Sequence, residues 1–128
     1  MRGNPNGRWQ SETGMKYDLT LKDQELTVTI VPGSNAKFLE YEVKLSRTLD
    51  INTYEGKGYF VVKLGEGKEI KECRFETHWK LVIASEERLV GATDLITPEG
   101  QTCEVKDRTQ GLIDMQRVAE QTAPPSPL

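Results

Sequence analysis

Histidine and cysteine are nearly missing from this chain: 128 residues hold one His and two Cys. A lone imidazole makes a poor start for a metal site, and Cys73 and Cys103 show no CxxC or other metal-ligand spacing. No apolar run is long enough for a transmembrane helix, and the mean hydropathy is −0.57. Neither sign of charge dominates, with 17 basic residues against 20 acidic and a formal net charge of −3. A phosphate-backbone binder needs a positive field, so nucleic acid is not an expected partner. There is no P-loop, no GxGxxG and no nucleophile elbow. No cofactor is therefore expected, and an enzyme is the least favoured class. Alanine is also scarce, at 5 residues, and no segment of helical length shows a convincing 3.6-residue period.

What the chain does have is 27 Val, Ile and Thr residues, whose branched side chains suit a pleated sheet. They sit in alternating runs. Tyr17, Leu19 and Leu21 form one apolar phase, and Leu26, Val28 and Ile30 form the next after a turn at 22–24. Leu39, Tyr41, Val43 and Leu45 give the cleanest alternation. Residues 49–54 read as a short strand or a continuation past a bend. Turns are expected at 55–58, 65–68, 85–88, 97–100 and 107–111. Between them, Phe60-Val62-Leu64, Cys73-Phe75, Trp79-Leu81-Ile83 and Cys103-Val105 occupy inner phases. Residues 111–121 read as strand in preference to a terminal helix. The expected organisation is an N-terminal extension over 1–8, one β domain over 9–118, and a proline-rich flexible tail over 119–128.

About eight to ten short strands joined by tight turns make an antiparallel meander. Closing it into a barrel removes both sheet edges; a β-sandwich is the alternative. Gly7-Arg8-Trp9 stands before the first clear strand and Arg117 stands in the last. A Gly-x-Trp at the start with a basic residue near the end resembles the calycin group: lipocalins, fatty-acid-binding proteins and avidins. The resemblance implies a closed lipocalin-like barrel whose first and last strands meet. It also implies roles for Gly7, Trp9 and Arg117 in closing one end, the arginine packed over the indole. The sequence departs from the group by lacking a lipocalin terminal helix and a two-helix lid. Thr93-Asp94-Leu95 carries Leu where the second lipocalin motif has an aromatic, so nothing is carried over from it.

The candidate site residues follow from strand parity. Tyr17, Tyr41, Phe60, Phe75 and Trp79 share the apolar phase and could line a pocket for an apolar ligand or simply fill the interior. His78 has the opposite parity to Trp79 and to both cysteines, so it should face outward, and no metal site is expected. Glu40 with Glu42 and Glu72 with Glu76 fall on polar phases and read as a solvated face rather than an acid–base pair. Cys73 and Cys103 either form one disulfide or remain two buried thiols. The first seven residues contain no apolar signal segment. An extracytoplasmic location with its signal removed is favoured over the cytoplasm. The leading functional reading is a barrel that binds a small apolar or amphipathic molecule. The alternative is a non-enzymatic interaction or inhibitor module on a filled barrel. A homodimer through exposed strand edges is also open.

Overall fold

The computed structural model describes residues 4–34 and 37–118. Eight antiparallel strands run in simple sequence order: β1 Gly7–Ser11, β2 Lys16–Lys22, β3 Glu25–Ile30, β4 Phe38–Arg47, β5 Thr53–Leu64, β6 Lys71–Ser85, β7 Arg88–Pro98 and β8 Val105–Arg117. Each pairs with the next, and the ring closes where β1 meets β8, with Trp9 opposite Arg117 and Ser11 opposite Met115. The fold is thus the closed meander expected, not the sandwich. The expected tail at 119–128 lies outside the described residues, and β1 begins at Gly7.

Turn chemistry sets the short connections. β2 and β3 are joined through Asp23, which takes a positive φ of 59°. Asp tolerates that region because its short polar side chain bonds locally. Of the stretch 49–54, expected as a short strand or a continuation past a bend, residues 49–52 form the bend and Thr53 and Tyr54 open β5. Asn52 has φ 57° and Leu49 and Ile51 stand in solvent. The glycine cluster at 55–58, read from sequence as a turn, lies inside β5. A Cβ on Gly58 would stand 2.0 Å from the Glu42 carbonyl oxygen, and one on Gly56 2.1 Å from that of Lys44. Glycine is needed there because the β4 backbone passes too close for a side chain. The turn expected at 107–111 is likewise interior to a strand, since β8 runs unbroken through it. Cys103 therefore belongs to the β7–β8 connection, not to a strand.

One β-bulge changes the inner lining. Register shifts between Phe38 and Glu40, leaving Leu39 40% exposed and bringing Phe38 against the core. The extra residue breaks the parity that placed Leu39 with Tyr41.

The interior has two halves. Around the end formed by the β2–β3, β4–β5 and β6–β7 turns, Trp9, Leu26, Leu45, Leu81, Leu89 and Met115 are fully buried. Trp9 donates its indole N–H to the Pro5 carbonyl at 2.8 Å. The Arg117 guanidinium lies 4.4 Å from the centre of the Trp9 ring and donates to the carbonyls of Asn4, Asn6 and Glu86 at 2.6–2.8 Å. This ties both termini and a turn across one mouth of the barrel. The opposite half is built from aromatic rings.

The wall also has a seam. The β6–β7 ladder runs only from Ser85–Arg88 to Trp79–Thr93, although β6 continues to Lys71 and β7 to Pro98. Several links cross this seam, among them the Thr77–Thr93 hydrogen bond at 3.2 Å. Cys73 and Cys103 form a disulfide, Arg108 donates to the Glu76 carbonyl at 3.2 Å, and Ile96 packs on Val62, Cys73 and Phe75.

Candidate functional site

The aromatic half opens into a cavity of about 360 Å³. That lies near the lower end of the range for small-molecule sites, ~300–1,000 Å³. Its mouth is formed by the β1–β2 turn, the start of β4, the far ends of β5 and β7, and the middle of β8. The mouth is therefore at the end away from Trp9 and Arg117.

Tyr17, Tyr41, Phe60 and Trp79 line this cavity. Phe75 does not; it is buried behind Phe60, with ring centres 5.6 Å apart, in a second cluster with Val62 and Cys73. The rings brace one another. Tyr17 meets Tyr41 and Trp79 edge-on at 5.6 and 5.4 Å, and Tyr41 stacks on Phe60 at 5.3 Å. Such pairs contribute about 0.5–1.5 kcal/mol each beyond their buried area, so the wall is preorganised.

Sequence parity missed several lining residues. Phe38 enters through the bulge described above, and Met15 stands in the approach to β2. Leu95 and Ile96 line the wall beside the seam, where the burial pattern of β7 inverts and Leu95 is 53% exposed. Only the aromatic phase of the paired strands was readable from spacing.

Inside the charged mouth, the polar atoms of the cavity are few. The Trp79 indole donates to the Tyr41 hydroxyl at 3.0 Å. Thr77 and Thr93 share a hydrogen bond at 3.2 Å beside it, and Thr93 also lines the cavity. The Tyr17 hydroxyl donates to the Met15 thioether sulfur at 3.6 Å. Burial pushes the Tyr17 phenol well above the ordinary tyrosine range, with the neighbouring Tyr41 adding to the shift. Burial also raises Tyr41, against the opposing bonds from Trp79, Thr77 and Thr93. Both rings present neutral hydroxyls at ordinary pH.

Charge is confined to the mouth. Glu12, Lys37, Asp94 and Asp114 are the ionisable lining residues besides the tyrosines. Asp114 takes a two-pronged bond from Arg88 at 2.8 and 3.1 Å, which holds its carboxyl below the usual range. Asp94 is paired with Arg108 at 3.2 Å.

The remaining polar candidates lie elsewhere. His78 is on the outer surface, its Nε2 2.9 Å from a Glu55 carboxylate oxygen. Glu40, Glu72 and Glu76 are exposed and Glu42 is half-buried. Among the described residues no three His, Cys, Asp or Glu side chains group as a metal site.

Searches of family models, curated proteins and solved structures give no match to this chain. The functional reading therefore rests on the geometry.

Proposed function

We propose that this protein binds a small apolar or amphipathic molecule in the open end of the barrel, as a carrier or store. The observation that carries the reading is the contrast between the two ends. One is filled and bolted by Trp9 and Arg117; the other is an aromatic cup of about 360 Å³ with an open mouth. A barrel that only displayed loops would gain stability by filling that space, since buried apolar surface contributes about 25 cal/mol per Å². The calycin resemblance fits the same reading, because the Gly7-x-Trp9 segment and Arg117 meet across the closed end. The Cys73–Cys103 bond fits an oxidising compartment outside the cytoplasm.

The exposed Leu49 and Ile51 at the tip of the β4–β5 turn favour the second reading, an interaction module. The two readings separate experimentally. The neutral fluorophore Nile red should bind saturably, at one molecule per chain, with a blue-shifted emission. Leu95→Trp, which adds bulk at a half-exposed position of the mouth, should weaken that binding at least about fivefold without lowering the urea midpoint. Absence of saturable binding, or equal binding by Leu95→Trp, would count against a ligand cavity.

A further inference from the structure

The chemistry of the cup narrows its ligand, given the binding reading above. Tyr17 is 6% exposed and lines the cavity, and its hydroxyl has one hydrogen-bond partner among the described residues, the Met15 sulfur. A thioether is a weak acceptor, so this buried donor is poorly served. Met15 also lines the cavity and sits at the mouth, on a flexible unbranched side chain. An entering acceptor can take the hydroxyl while the thioether moves aside.

The rest of the lining says which acceptor. Phe38, Tyr41, Phe60 and Trp79 supply apolar surface, and the charged lining residues Glu12, Lys37, Asp94 and Asp114 stand at the mouth. The guanidinium groups of Arg88 and Arg108 are engaged with Asp114 and Asp94 rather than lining the cup. A carboxylate head pushed against the rings would lose its hydration and meet no buried cation. A quaternary ammonium would offer Tyr17 no acceptor. A carbonyl oxygen needs a single donor and carries no charge.

We infer that the cup takes a neutral apolar molecule bearing a carbonyl-type oxygen, which accepts the Tyr17 hydroxyl in place of the Met15 sulfur. Isothermal titration calorimetry at neutral pH with 2-decanone, decanoate and decyltrimethylammonium tests this. The ketone should bind at least about tenfold more tightly than either ion. Tyr17→Phe, which removes only the hydroxyl, should weaken the ketone about five- to tenfold. Met15→Leu, which removes the competing acceptor, should tighten it by about twofold or more. Equal or tighter binding of decanoate or the ammonium would overturn the inference and leave the cavity reading standing. So would a ketone affinity unchanged by both substitutions. Failure of all three compounds to bind would overturn both.

Discussion

At the residue scale, a few side chains divide the interior between a sealed end and an open one. Arg117 illustrates why arginine suits the sealed end. Its planar fork reaches three backbone carbonyls while its face rests on Trp9. A lysine has no such fork. At the open end the tyrosines set a pH limit. The Tyr17 and Tyr41 phenols are raised in the folded state by burial, whereas in the unfolded chain they ionise near the ordinary value, about 10. Above that pH the unfolded chain has lost protons that the folded chain keeps. Stability from these groups is therefore complete below about pH 10 and falls as pH rises beyond it. Urea unfolding should show a midpoint that declines between about pH 10 and 11, and Tyr17→Phe should reduce the slope. A midpoint independent of pH over that interval would contradict the burial described.

At the element scale, β5 carries the sharpest constraint. The β4 backbone crosses Gly56 and Gly58 so closely that an added Cβ would fall at about 2 Å from a carbonyl oxygen. Gly58→Ala should cost at least about 2 kcal/mol in urea unfolding, because one strand must shift against the other. Lys57→Ala, exposed between the two glycines, should stay within about 0.5 kcal/mol of the parent. Equal effects would mean that the close approach is absent. These glycines also show where sequence reading fails. Gly-rich spacing signals a turn, and nothing local distinguishes a turn glycine from one that lets a neighbouring strand approach. The same limit hid the continuity of β8 through Gly111 and the bulge at Leu39. The alternation of Tyr17, Leu19, Val28, Val43 and Leu45 was readable because paired strands keep period two wherever one face is buried. The aromatic wall was readable on the same ground. Phe75 shares that parity yet sits outside the cavity, since parity selects a face and not a height along the barrel. Met15, Leu95 and Ile96 were hidden because they lie at strand ends or beside the seam, where register no longer fixes direction.

At the scale of the whole molecule, the barrel is closed in hydrogen-bonding order but loosened where the short β1 pairs only with Met115–Arg117 of β8, and along the line between the outer parts of β6 and β7. The disulfide spans that line and links residues 30 apart in sequence. A cross-link of that span contributes about 3–4 kcal/mol by restricting the unfolded chain. It lets the wall beside the cavity stand without a full ladder. Entry of a small molecule is proposed at the open end only. The two tryptophans report on the two ends, Trp79 at the floor of the cup and Trp9 under Arg117. Their indole N–H signals in a ¹H–¹⁵N correlation spectrum can be assigned with Trp79→Phe. On titration with 2-decanone or Nile red, the Trp79 signal should shift and saturate while the Trp9 signal stays in place. A Trp79 signal unmoved at saturating ligand, or a Trp9 signal that moves in its stead, would contradict the account.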